Sequence, residues 1–110
     1  MISLLANIII MANLSVSIEA FATQNAFVEQ AVAITNNDCC VVAIMTKPFY
    51  LYSEKQAFIN ELQNEIAKKF NMKKVYITIK TDMFYQVSKF SHKEQVSAKD
   101  FEIIVKQIEK

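Results

Sequence analysis

The spacing of apolar residues along this chain changes from helical to alternating and back, and each change marks an element. Residues 1–18 carry no charge, and Ile2, Leu5, Ile9, Ala12 and Val16 recur at intervals of three and four. Ile8, Ile10 and Met11 broaden that stripe beyond one face, which points to burial on more than one side. Two short apolar runs follow, residues 31–35 and 39–46, separated by Asn36-Asn37-Asp38. The first run fits a strand covered on both sides, and the second, longer and rich in β-branched residues, fits the central strand. Asn-Asn-Asp between them reads as a three-residue hairpin connection with an Asn in the left-handed region.

From Ser53 the period becomes helical. Phe58, Leu62, Ile66 and Phe70 repeat every four residues, joined by Ile59 and Ala67, while Glu61, Glu65, Lys68 and Lys69 take the other side. Ser53 and Gln56 have the spacing of a capping box, and Glu65 and Lys69 that of a helical ion pair. Asn71 is the natural left-handed stop. Val75, Ile77 and Ile79 then alternate with Tyr76, Thr78 and Lys80, the plainest strand signal in the chain. Asp82 is placed to cap a short helix over residues 83–90, and Ser97 and Asp100 open a last one with Phe101, Ile104, Val105 and Ile108 on one side.

These elements predict a single α+β domain over residues 1–110. Its sheet is three-stranded and mixed: an antiparallel hairpin, then a β-α-β crossover through the helix at 53–70 that makes the second pair parallel. The N-terminal and C-terminal helices are expected beside the crossover helix, all on one face of the sheet. Val42, Ile44, Phe58, Leu62, Ile66, Val75, Ile77 and Ile79 are the expected core.

The uncharged N-terminal stretch admits other roles. A membrane-spanning helix needs about 20 mostly apolar residues, and this run is shorter and contains Asn7 and Asn13. Ala20-Phe21-Ala22 has the small-x-small form of a signal cleavage site, which would make residues 1–22 a signal or anchor segment, but no Lys or Arg precedes the apolar run. The helical spacing favours a helix packed on the sheet; membrane association through residues 1–18 stays open beside it.

Composition narrows the function classes. Hydrophobic residues make up 53% of the 110, enough for a sizeable core. Net charge is +1, from 12 basic residues that are all Lys against 11 acidic ones. That balance, and the lack of Arg, argue against a nucleic-acid partner. Gly is absent, so the backbone has none of the positions a P-loop, a dinucleotide fingerprint or a kinase-type loop requires. Cys39 and Cys40 are adjacent and face opposite sides of a strand, which argues against a mutual disulfide and reads as two small strand residues, at least one of them buried. With a single histidine and no paired cysteine motif, no zinc pattern is present. His92 lies in a polar stretch without a nucleophile or carboxylate placed to use it, and reads as a solvated side chain. Asp38, Asp82 and Asp100 are accounted for by turns and caps. No catalytic constellation emerges, and no cofactor is expected.

The aromatics offer more. Phe49, Tyr50 and Tyr52 follow the second strand, and Phe84 and Tyr85 follow the third. If those strands are parallel neighbours, both segments leave the same end of the sheet. The aromatics would then converge at one edge, as a small core sealing that end or as a contact surface with Lys47 and Lys80 at its rim. Lys47, Phe49, Tyr50, Tyr52, Phe84 and Tyr85 are therefore the candidate interaction residues.

The run Ala31-Val-Ala-Ile-Thr-Asn-Asn-Asp-Cys-Cys-Val-Val-Ala-Ile, with Val75-Tyr76-Ile77-Thr78-Ile79-Lys80-Thr81-Asp82 after a helix, resembles the YhcN/YlaJ-type sporulation lipoproteins of endospore-forming bacteria. In that family a helix leads to a valine-rich hairpin, a second helix follows, and a V-x-V-T-x-D strand ends at a short helix. The resemblance covers about residues 20–90, and many BON-like α+β modules share the pattern. The family's lipobox cysteine and its turn glycine are both missing here, so lipid anchoring is not implied for this chain. What the resemblance implies is a non-enzymatic, bacterial interaction module of the spore or cell envelope, with no catalytic residues to carry over. The competing expectation is a soluble cytoplasmic domain that binds a small ligand or a protein at the aromatic edge. A homodimer is also expected, through the N-terminal helix or an exposed edge strand, since a net charge of +1 opposes association little.

Overall fold

A computed structural model of the chain describes residues 4–91 and 96–109, with side chains from residue 14 onward. Among them the chain forms α1 (Leu4–Thr23), β1 (Val28–Asn36), β2 (Cys39–Thr46), α2 (Tyr52–Phe70), β3 (Lys74–Thr78), α3 (Thr81–Ser88) and α4 (Ala98–Glu109). The sheet order is β1-β2-β3. β1 pairs antiparallel with β2, and β2 pairs parallel with β3 from Cys39↔Lys74 to Ala43↔Thr78. This is the α+β hairpin-plus-crossover sheet that the apolar spacing predicts.

The helices do not share one face. Cys40, Val42 and Ile44 point to one side of β2, Val41 and Ala43 to the other, and none of the five is more than 1% exposed. The first set joins Ile18 and Ala22 of α1, Leu62 and Ile66 of α2, and Ala33 and Ile77 of the flanking strands. The second joins Ile34, Met83 and Val87 of α3, and Phe101 and Ile104 of α4. A strand that is apolar at every position needs cover on both faces, so α1 and α2 take one and α3 and α4 the other. The expected core residues all fall in the first cluster. Val42, Ile44, Leu62, Ile66 and Ile77 are buried, and Phe58, Val75 and Ile79 pack half-buried against them.

Local chemistry sets the junctions. The hairpin connection shortens to two residues because Asn36 pairs with Cys39, and Asn37 takes the left-handed conformation at φ 57°. Asn71 does the same after α2, at φ 54°, and donates its N–H to the Ala67 carbonyl. A bulge at Glu29 lets Val28 turn into the first cluster while Glu29 stays in solvent. The capping box does not form. α2 starts at Tyr52 with Leu51 as its cap, so Ser53 already lies inside the first turn, and Gln56 Nε2 donates to the Tyr52 hydroxyl instead, 2.9 Å away. Asp82 likewise sits within the first turn of α3, capped by Lys80, where it complements the helix dipole. Ser97 does cap α4, accepting the Asp100 N–H at 3.1 Å. Lys69 places its ammonium over the Phe21 ring, 5.4 Å from the centroid, rather than beside Glu65.

α1 runs antiparallel to β1 and closes its free edge. Glu19 Oε2 accepts the Ala33 N–H at 2.8 Å, and Ser15 and Thr35 exchange a hydroxyl contact at 3.4 Å. Four residues of helix and two of strand both advance about 6 Å, so the two contacts share one register. The buried stripe is Leu14, Ile18, Phe21 and Ala22, and Val16 is 62% exposed. Val16, the one member of the expected stripe with a described side chain, is therefore turned away from the sheet, because the packing face is set towards the C-terminal end of α1, which continues to Thr23. Ile2, Leu5, Ile9 and Ala12 lie outside the described side chains, as does His92. At the other edge, Gln63 Nε2 donates to the Val75 carbonyl of β3 at 3.0 Å. Among the described residues, no helix is long and apolar enough to cross a membrane.

Two substitutions test the two clusters separately. Leu62→Ala and Ile104→Ala should each cost about 2–5 kcal/mol in urea unfolding, and a neutral Ile104→Ala would mean that the second face is not covered as described. Glu19→Ala should cost about 1–3 kcal/mol in the same assay, since it strips a charge-assisted acceptor from a backbone donor on the strand edge.

Candidate interaction surface

The parallel pairing of β2 and β3 brings both of their exits to one end of the sheet. The chain leaving β2 passes through Lys47, Pro48, Phe49, Tyr50 and Leu51 into α2, while the chain leaving β3 passes Ile79 and Lys80 into α3. Because α2 and α3 lie on opposite faces, the six expected residues do not gather into one cluster. Phe49, Tyr50 and Tyr52 stay with the α2 side. Phe84 packs into the second core cluster, and Tyr85 stands exposed on α3 with the Lys89 ammonium 5.0 Å from its ring centroid.

Phe49 is held by Phe58 of the expected core and by Phe27, which the sequence pattern did not single out. Its ring centroid lies 4.6 Å from Phe27 and 5.4 Å from Phe58, and Phe27 and Phe58 are 5.8 Å apart, so the three rings close a triangle. Tilted aromatic pairs of this kind add about 0.5–1.5 kcal/mol each beyond the area they bury. Phe27 is seated by the turn after α1: Asn25 Oδ1 accepts the Phe27 N–H at 2.9 Å, and the Asn25 carbonyl accepts the Val28 N–H at 3.0 Å. Lys47 donates its own N–H to the Phe27 carbonyl at 3.0 Å, which ties the loop to that turn. The Lys47 side chain is exposed.

Above the triangle lies a groove of about 420 Å³ lined by Asn25, Phe27, Phe49, Glu54, Ala57, Phe58 and Glu61. Its floor is aromatic and its α2 wall carries two exposed carboxylates, neither of which makes an ion pair with a described residue. Beside it the loop presents Tyr50, Leu51 and Tyr52 at 96%, 58% and 74% exposure. Three consecutive large residues held out of the core form a patch, which is a stronger signal of contact than scattered surface apolars. Phe27 was hidden from sequence reasoning because it sits in a turn outside any periodic run. Glu61 was read only as helix charge, although its spacing of seven from Glu54 places the two on one side of α2.

The remaining polar chemistry is structural. Asp38 closes the hairpin end: its carbonyl accepts from Lys73 at 2.7 Å, and the Lys73 ammonium, 3.3 Å from Oδ2, holds its carboxyl below the ordinary aspartate range. Cys39 and Cys40 are free thiols on opposite faces, and burial pushes Cys40 up to about 12. No group of three metal-ligating side chains occurs among the described residues. Comparison with protein-family models, with curated proteins and with solved structures finds no match to this chain.

Cys40 generates a pH prediction. Its folded-state value of about 12 stands above the unfolded value of 9.0, so its neutral thiol favours the folded state below that unfolded value. Stability should therefore fall as pH rises from about 9 towards 12, where the unfolded chain has released the proton and the folded chain has not. Cys40→Ala should flatten that part of the pH-stability curve. At pH 8 iodoacetamide should modify Cys40 only when the protein is unfolded, and rapid native-state alkylation would contradict its burial.

Proposed function

We propose that this protein is a non-enzymatic interaction module that docks a protein partner at the end of the sheet where β2 passes into α2. The observation that carries the reading is the juxtaposition of Tyr50, Leu51 and Tyr52, held out in solvent, with the groove over the Phe27, Phe49 and Phe58 triangle. Tyrosine is enriched at binding hot spots because it combines a large apolar face with a hydroxyl and loses little entropy when fixed. The groove rim is open to water at Asn25, Glu54, Ala57 and Glu61, whereas small-molecule sites enclose most of their ligand. That difference favours a protein partner over a small ligand. The resemblance to the YhcN/YlaJ-type family adds a setting to this reading, the spore or cell envelope. A second copy of the chain is a further partner in the proposal. With Glu19 and Gln63 engaging the two outer strands, its contact would run through α1 rather than through strand pairing.

Tyr50→Ala and Tyr52→Ala should each change unfolding free energy by less than about 0.5 kcal/mol, as expected for exposed side chains outside the core. A photo-crosslinking residue at position 50 or 52 should give a discrete protein adduct in the native host, with position 99 on α4 as control. Equal adducts from position 99 would remove the docking surface from this end of the sheet. A fluorescent fusion that stays diffuse in the cytoplasm through sporulation would separately remove the envelope setting, and light scattering showing a monomer at tens of micromolar would remove the homodimer.

A further inference from the structure

The groove has a chemical bias that goes beyond shape. Three aromatic rings line its floor, and the face of each ring carries negative quadrupolar charge. Glu54 and Glu61 stand on the same wall, seven residues and about 10 Å apart along α2. Ala57 and Phe58 lie between them and leave the wall low and apolar at its centre. No described cation forms an ion pair with either carboxylate. Lys47, whose backbone is tied to Phe27, does not contribute its side chain to the lining. An aromatic floor with unpaired carboxylates is complementary to a cation carried on an apolar stem.

The spacing identifies the carrier. A peptide in the polyproline II conformation advances about 3.1 Å per residue and completes a turn every three residues, so side chains three positions apart face the same way about 9 Å apart, close to the spacing of the two carboxylates. We propose that the groove receives a basic segment of the partner protein, with two Lys or Arg side chains three residues apart on Glu54 and Glu61 and an apolar residue between them over Phe27, Phe49 and Phe58. This inference rests on the docking surface proposed above and names the chemistry of its occupant. Tyr50 and Tyr52 then flank the bound segment at the groove's open end.

The test is titration of the isotope-labelled full chain with three capped synthetic peptides of one length: Lys at two positions three apart around a Leu, the same peptide with Gln at both positions, and the same with Glu. Backbone amide shifts should concentrate in residues 25–28 and 47–61, for the Lys peptide alone. Glu54→Gln with Glu61→Gln should weaken that binding roughly three- to tenfold at low ionic strength, the range expected for rim charges. Glu102→Gln with Glu109→Gln, which alters net charge equally on α4, should leave it unchanged. Equal binding of the Gln or Glu peptide would overturn the basic-segment assignment while leaving the docking surface standing. Shifts of the same size from capped single lysine would show that a free organic cation suffices and would overturn the peptide carrier. Absence of shifts with millimolar Lys peptide would overturn the inference outright, and the crosslinking at positions 50 and 52 decides the docking surface independently.

Discussion

Everything in this fold follows from a central strand with no polar face. Residues 40–44 of β2 are apolar on both sides and almost wholly buried. A strand of that kind is stable only between two layers of cover. α1 and α2 cannot supply both layers, since both are drawn to the side where Cys40, Val42 and Ile44 point. The odd positions, Val41 and Ala43, therefore recruit α3 and α4. The three-layer arrangement then fixes where the chain leaves the sheet, and it sends the two exits from the parallel pair to opposite faces.

A small sheet between two helix layers still has two bare edges, which are a hazard for any three-stranded protein. Here helix side chains engage both outer strands: a carboxylate takes an edge N–H of β1, and an amide gives a hydrogen to a carbonyl of β3. The effect is to direct exposed surface away from the strands and towards the loop between β2 and α2. That loop is held at its base by Lys47 and Phe49, while its tip, Tyr50 to Tyr52, is left out of the core. Rigid anchoring of a largely exposed tip is the arrangement by which scaffolds present binding loops.

Much of the fold was legible in the sequence because it depends on periodicity. The bounds of β2 were read to the residue, α2 to one residue, and the mixed pairing of the sheet followed from element order. The division of helices was less legible, although the clue was present. Residues 31–35 and 39–46 are apolar without alternation, which already asks for two covered faces, but no sequence pattern says which helix goes where. Caps failed where a Ser or Asp stood one or two positions inside the helix, since a cap depends on the exact first turn and not on residue type alone. The groove was the least legible feature. It combines Phe27 from a turn, Phe49 from a loop and Phe58 from a helix, three residues joined only by tertiary packing.

The division of helices between faces also sets an order of events when the chain is made. The first cluster is complete once α2 has been synthesised, apart from its β3 contribution, because its helices flank the hairpin in sequence. The second waits for α4, which is encoded more than 50 residues after β2. At ordinary translation speeds that gap lasts roughly 3–10 s. During it Ile34, Val41 and Ala43 are bare until α3 is made, and after that only in part, because Phe101 and Ile104 of α4 have still to join the cluster. The face of the sheet lined by Ile34, Val41 and Ala43 is therefore the last surface of the domain to be covered during synthesis.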